Sequence, residues 1–352
     1  MAIPSIAMIP SGYKANKLYS VLPTNGDGDF TTTRNTVGTR VNENGLIEEV
    51  ASNVPRLDYS DGTCPSLLLE PASTNLIPYS EDFSNAAWVK TRCTILANQS
   101  ISPDGTLNAT LMTATDDDAR LEDVVGVLAT ATTQSIYIKS ATGNNVAGVI
   151  DFAGTDIVAF TANNEWQRIE STLTNLAISS RVRARIINSG DAIYIYGAQL
   201  EEQSYATSYI KNEGTAAGIT RAADTATGSG NSTVINSTEG VLYFEGSVSV
   251  NDANKQIRIA NSSVSLNSIT LEFRDNGTTL RTYIFDGDAT NQFLSNTTID
   301  PNIYNKICLK YKENDCALYL NGVEVASDLL GTMPSGLDLL NFDNTVGGTP
   351  FY

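Results

Sequence analysis

The chain has 352 residues, 41% of them hydrophobic, which is enough for two domains with cores of their own. A net charge of −17 argues against binding to a phosphate backbone. The absence of histidine excludes Ser-His-Asp and Cys-His catalysis and any His-ligated metal supplied by this chain.

No apolar run approaches the ~20 residues of a membrane span, so membrane insertion is not expected. The opening "MAIPSIAMIPSGYKAN" has no basic region ahead of its apolar part and is broken by Pro4 and Pro10, so it does not read as a signal peptide. Residues 1–74 are rich in Pro, Gly, Asn and Thr with short apolar runs. Such a segment cannot build its own core and is expected to lie against something else.

Residues 75–212 carry both tryptophans and a succession of strand patterns. "QSIYIKS" (134–140) sets Ile136 and Ile138 against Tyr137 and Lys139. "DAIYIYG" (191–197) sets Ile193 and Ile195 against Tyr194 and Tyr196. "RVRARII" (181–187) sets Val182, Ala184 and Ile186 against Arg181, Arg183 and Arg185. "DDDARLEDVVGVLA" (116–129) is the one stretch with room for a short helix.

Residues 213–240 are small, polar and rich in Gly and Thr, and read as a linker. From 241 a second strand-rich unit begins. Asn276-Gly277 and Asn321-Gly322 each sit between alternating runs and predict hairpins. The end, "FDNTVGGTPFY", looks like the start of a strand, so the second unit is expected to be C-terminally incomplete. The fold class is therefore all-β: tandem antiparallel β-sandwiches over 75–212 and 241–352, joined by 213–240 and preceded by an extended N-terminal adaptor over 1–74.

Four cysteines, Cys64, Cys93, Cys308 and Cys316, form no CxxC motif and read as small core residues, although Cys308 and Cys316 flank a turn and could approach each other. Asn-X-Ser/Thr sequons, such as those at Asn108, Asn231, Asn236, Asn276 and Asn296, read as chance in a chain so full of Asn, Ser and Thr.

Three resemblances rest on particular stretches. "NLIPYSEDFSNAAWVK" (75–90), "NEWQRIESTLT" (164–174) and "IYIYGAQLEEQSYATSYI" (193–210) resemble the opening, middle and closing strands of jelly-roll carbohydrate-binding modules. "NKICLKYKENDCALYLNGVEVAS" (305–327) is similar to a hairpin of concanavalin A-like (laminin G-like) sandwiches. The loop-rich segment 28–83, leading into two such domains, resembles bacteriophage tail-fibre, tail or head-appendage proteins.

That last resemblance implies a virion structural protein, exposed on the particle. Its N-terminal segment would dock to other virion proteins and its sandwiches would face host-surface polysaccharide. Fibre and appendage proteins are commonly symmetric oligomers, and a trimer is the form expected. A purely architectural cement protein and a secreted bacterial adhesin are the competing readings.

For chemistry, glycoside hydrolysis needs two carboxylates roughly 5–9.5 Å apart. Glu245, Glu272 and Glu324 each stand alone on a strand, and Glu201 and Glu202 would point to opposite faces, so no enzyme is expected. Glu81, Asp82, Gln199 and Glu201 lie in segments where jelly-roll modules hold structural Ca²⁺, and are candidate ligands; otherwise they are solvated loop groups. "NGDGDF" (25–30) and "FDGDAT" (285–290) read as turns.

Fifteen tyrosines suit an amphipathic surface. Tyr137, Tyr194 and Tyr196, with Arg181, Arg183 and Arg185, make a candidate platform for acidic glycan. The alternative is that these faces pack on a neighbour and the arginines pair with carboxylates.

Overall fold

A computed structural model of the chain describes residues 3–14, 17–248, 254–264, 266–275, 277–287, 291–301 and 303–342. The fold is all-β. Every strand pairing is antiparallel, and among the described residues no helix is long and apolar enough to cross a membrane. The expected closing strand after Phe342, Asn276 of the sequon and predicted turn, and residues 288–290 of "FDGDAT" lie outside the described residues.

Two five-stranded sheets form the first sandwich. One runs Cys93–Ile101, Leu107–Ala114, Ala192–Glu201, Thr132–Ser140, Gln167–Leu173. The other runs Thr155–Ala162, Val146–Phe152, Ser180–Ile186, Ala119–Gly126, Val89–Thr91. The expected alternation is what fills the space between them. Ile136, Ile138, Val182, Ala184, Ile186, Ile193 and Ile195 all face a core closed by Trp88, whose indole packs 4.9 Å from Phe83.

Residues 116–129 hold no helix. Ala119–Gly126 is a strand against Ser180–Ile186, because Ala119 and Leu121 alternate into that core. At Gly148 a side chain is impossible, since a Cβ there would meet the Phe160 ring at 2.1 Å and the Arg185 carbonyl at 2.5 Å.

Gly197 does a different job. Its φ is +62°, and the pairing register slips between Ser135 and Tyr137 opposite it. The resulting bulge shifts the inward positions from Ile193 and Ile195 to Ala198 and Leu200. Without that extra residue, the closing strand would turn Leu200 outward and Gln199 inward.

The second sandwich packs the sheet Glu239–Gly246, Asn305–Lys312, Cys316–Leu320, Val323–Asp328 on the sheet Asn291–Thr298, Thr279–Asp286, Asn267–Arg274, Lys255–Ala260, Leu339–Asn341. Leu242, Ile269, Leu271, Phe273, Ile307, Leu309 and Leu318 fill its core. Asn321 and Gly322 turn the predicted hairpin with φ of +52° and +86°.

The N-terminal segment consists of short strands laid along both sandwiches, with Ala7–Lys14, Lys17–Leu22 and Phe30–Thr33 forming a sheet. Residues 213–240, expected as a linker, are instead built into the structure. Thr225–Thr227 is the fourth strand of that sheet, and Ile219–Arg221 pairs with Ser73–Asn75.

The physical reason is charge burial. Arg34, Arg56 and Arg221 are each at most 2% exposed and converge on Asp224 and Glu70. Arg34 Nη1 lies 2.9 Å from Asp224 Oδ1, and Arg56 Nη1 lies 2.7 Å from Glu70 Oε2. Spare guanidinium N–H groups donate to the carbonyls of Thr36, Thr39, Val50, Ala51 and Pro71. Burial alone would raise the Glu70 carboxyl, but the Arg56 and Arg221 guanidiniums outweigh it and hold the group at about 2.

The cysteines correct another expectation. All four are free thiols. Only Cys316 is buried, Cys93 and Cys308 are half-buried, and Cys64 is exposed. Cys308 points out of its sheet while Cys316 points in.

Candidate functional site

The sequence-derived platform does not form. Tyr137, Tyr194 and Tyr196 stand on the outer face of one sheet of the first sandwich, and Arg181, Arg183 and Arg185 on the outer face of the other. Both rows point away from a common core, so the sandwich itself separates them.

Nor is the tyrosine row open. Tyr196 is 2% exposed and clusters with Tyr209 and Ile47, with Tyr137 and Trp166 against them. The Tyr196 and Tyr209 rings are 5.5 Å apart. Ile47 arrives on the hairpin Gly38–Val41/Ile47–Val50, and Thr39 Oγ1 fixes that hairpin by donating to the Tyr209 carbonyl at 2.6 Å. The Tyr196 hydroxyl lies 3.1 Å from both Glu81 Oε1 and Asp104 Oδ2. Burial, together with these two carboxylates, drives its ionisation far upward. Only Tyr194 keeps an intermediate exposure without joining this cluster.

The arginine row is neutralised in place. Arg181 Nη1 lies 2.8 Å from Glu122, Arg183 Nη1 3.4 Å from Asp151, and Arg185 Nη1 2.9 Å from Asp151, with Asp118 also on Arg185.

The proposed calcium ligands are likewise engaged by protein donors and do not converge. Glu201, fully buried, accepts from Ser73 Oγ at 2.5 Å and from the Thr207 N–H at 2.9 Å. Gln199 Oε1 accepts from the Ile210 N–H at 2.6 Å. Glu81 accepts from two tyrosine hydroxyls and pairs with Lys211 at 3.2 Å, and Asp82 caps Ser84. Among the described residues, no group of three or more His, Cys, Asp or Glu side chains is placed to hold a metal. The closing segment 196–210 is thus a structural seam: its polar side chains hold residues 204–212 and the N-terminal hairpin onto the sandwich.

An open aromatic face exists on the second sandwich, on residues not singled out from the sequence. Across its four-stranded sheet, Tyr243 pairs with Cys308, and Cys308 pairs with Tyr319. Their neighbours Leu242, Phe244, Ile307, Leu309, Leu318 and Leu320 take the core side, so these three point outward. Tyr243 is 55% exposed and Val241 beside it 60%.

Two strand spacings place the rings about 10 Å apart, with the small Cys308 as the floor between them. Each ring is anchored: the Tyr243 hydroxyl donates to Glu245 Oε2 and the Tyr319 hydroxyl to Glu324 Oε2, both at 2.9 Å. Lys310 and Asp315, paired at 2.6 Å, add polar groups on the same hairpin. Rings anchored by carboxylates, with an ammonium on the same hairpin, suit stacking on the apolar face of a sugar, with hydroxyls taken by the charged groups. The signal was present in the sequence: "GVLYFEG" (240–246) alternates Leu242 and Phe244 against Val241, Tyr243 and Glu245.

No family model matches the chain, and no curated protein matches it. Among solved structures, it is similar to a carbohydrate-binding module in complex with beta-1,4-galactotriose, at 16% identity and a TM-score of 0.28, over 36% of this chain and 97% of that one. It is also similar to a structure from work on the promiscuous specificity of carbohydrate-binding modules of the beta-sandwich superfamily. That likeness has 12% identity and a TM-score of 0.26, over 49% of this chain and 86% of that one. At TM-scores of this size neither likeness carries an argument about what this chain binds.

Proposed function

We propose that this chain is a structural protein of a bacteriophage particle, of tail-fibre, tail or head-appendage type, that recognises host-surface polysaccharide by non-covalent binding. The observation that carries the recognition half is the anchored, outward-facing pair Tyr243 and Tyr319. The virion half is supported by the resemblance of residues 28–83 and the two sandwiches that follow. In this reading the N-terminal strands meet other virion proteins, identical copies assemble as a trimer, and no bond of the glycan is broken.

A purely architectural role is favoured for the first sandwich by its sealed tyrosine face and paired arginine row. Recognition is therefore assigned to the second sandwich.

The test is binding of the full chain to a glycan array and to host-surface extract, with Tyr243→Ala and Tyr319→Ala alongside. Saturable, sugar-competed binding that weakens about tenfold per ring removed, as expected from about 1.4 kcal/mol per stacked aromatic, supports the proposal. A folded sample that binds no glycan leaves the architectural role for the whole protein.

A further inference from the structure

Three connections meet at one end of the second sandwich. Residues 236–238 lead into the strand Glu239–Gly246, Glu313 sits in the turn between Asn305–Lys312 and Cys316–Leu320, and residues 332–336 precede Leu339–Asn341. They frame an open cleft of about 440 Å³, a volume within the range of pockets that hold small ligands.

Hydrogen bonds between the connections hold its walls. Ser237 Oγ accepts from the Leu337 N–H at 2.9 Å. The Asn314 N–H donates to the Gly331 carbonyl at 3.1 Å, and Asn314 Oδ1 accepts from the Gly331 N–H at 3.2 Å. The Ser335 carbonyl accepts from Asn261 Nδ2 at 3.2 Å and from Asn267 Nδ2 at 3.0 Å. Met333 packs against the sandwich core, and Pro334 is buried. A cleft fixed in this way has little order left to lose when a ligand enters.

The lining divides into an apolar patch, Met333 and Pro334, and a polar rim. The Ser237 and Ser335 hydroxyls both accept from the chain, Ser335 Oγ from Asn267 Nδ2 at 3.5 Å, and among the described residues neither donates. Each therefore keeps a proton for a ligand. Glu313 is the only charged side chain of the lining, and among the described residues its carboxylate has no ion pair or hydrogen bond. The ammonium groups nearest it in sequence are taken: Lys312 pairs with Glu239 at 3.0 Å and Lys310 with Asp315 at 2.6 Å. An anion would meet a like charge here and nothing to offset it, whereas a cation would find an unanswered carboxylate.

We propose that the cleft binds an amino sugar. The apolar face of its pyranose lies on Met333 and Pro334, its hydroxyls meet Ser237 and Ser335, and its ammonium meets Glu313. The inference takes the sugar from the recognition reading, while its charge argument stands on the cleft alone.

The experiment titrates the full chain with glucosamine, with glucose and with ethanolamine, followed by ligand-observed NMR. Glucose shares the ring without the charge, and ethanolamine the charge without the ring. Glucosamine is expected to bind about fivefold tighter than either, the scale of one partly exposed charge contact. Its binding should weaken between about 0.05 M and about 0.5 M salt. Glu313→Gln should bring glucosamine down to the level of glucose. Ser335→Trp, which fills the cleft without altering its charge, should abolish binding of both. Thermal unfolding verifies that both variants fold.

Glucosamine bound no more tightly than glucose, or binding indifferent to Glu313→Gln, would overturn the inference. Ethanolamine equal to glucosamine would reduce the cleft to a point charge and sink the amino-sugar assignment, and no binding of any probe would remove the site. The glycan-array test reads Tyr243 and Tyr319 and this one reads Glu313 and Ser335, so either assignment can fail while the other stands.

Discussion

The two sandwiches use the same device, tyrosine alternating with aliphatic residues, and end with opposite surfaces. In the first, Tyr137 and Tyr196 alternate with isoleucines and are then covered by Ile47 and Tyr209 from elsewhere in the chain. In the second, Tyr243 alternates with Leu242 and Phe244 and stays 55% exposed. Alternation decides which way a side chain points relative to its own core. Whether the outward side meets water depends on what the rest of the chain lays over it. A tyrosine row is therefore a candidate platform only after the second layer is known.

The contrast can be tested from the cover inward. Asp224→Asn removes a carboxylate that answers three buried guanidiniums, Arg34, Arg56 and Arg221. A loss of about 3–5 kcal/mol is expected, the usual cost of leaving a buried charge unpaired, read by urea unfolding. A cost under about 1 kcal/mol would mean the ion cluster does not hold the N-terminal strands down.

Acid should probe the same cluster. Glu70 is held at about 2 in the folded state against an ordinary 4.5. Its contribution is thus complete above pH 4.5 and is lost as pH falls towards 2. At 1.36 kcal/mol per unit this is at most about 3.4 kcal/mol, and Glu70→Gln should remove that part of the acid dependence.

Lys255 acts at the alkaline end with the same slope, but its shift is a cost at neutral pH instead of a gain. Burial in the second sandwich lowers its ammonium to about 8 from 10.5. The unfolded chain then binds the extra proton between these values, so stability should rise from pH 8 to 10.5, an increment that Lys255→Met should abolish.

Tyr196→Phe leaves Glu81 and Asp104 without one hydroxyl donor and should cost about 1–3 kcal/mol, with no change in glycan binding. At the exposed end of the scale, Tyr243→Ala should change stability by no more than about 0.5 kcal/mol while weakening sugar binding. Equal stability costs at Tyr196 and Tyr243 would erase the distinction between the two faces.

Much of the fold was legible because it is local. The period-two pattern placed Ile136, Ile138, Val182 and Ile193 inward, and Asn321-Gly322 marked its turn. The layer above the first sandwich was not legible, because its contacts are remote: Thr39 reaches Tyr209 across 170 positions, and Arg34 reaches Asp224 across 190.

Residues 213–240 read as a linker because they are small and polar, yet one arginine and one aspartate in them, Arg221 and Asp224, fasten the segment. The candidate calcium ligands were oxygen-rich by type, but the donors that occupy them, Ser73, Thr207 and the Ile210 N–H, belong to segments that the sequence alone does not bring together. Tyr243 is within reach of the alternation rule, since Leu242 and Phe244 on either side of it face the core.

The strand Thr225–Thr227 has a mechanical consequence. It lies antiparallel to Phe30–Thr33, and two residues on, Ser229 exchanges backbone hydrogen bonds with Leu340 of the second sandwich, at 3.2 and 2.6 Å. A loose connector of that length would give slack under tension, letting the two sandwiches swing apart before either felt a pull. Here the connection is stitched at both ends, so force applied at the distal sandwich passes to the N-terminal sheet through shear of paired backbone. In a pulling experiment the chain should show no soft extension before its first rupture, the behaviour of a strut rather than a tether.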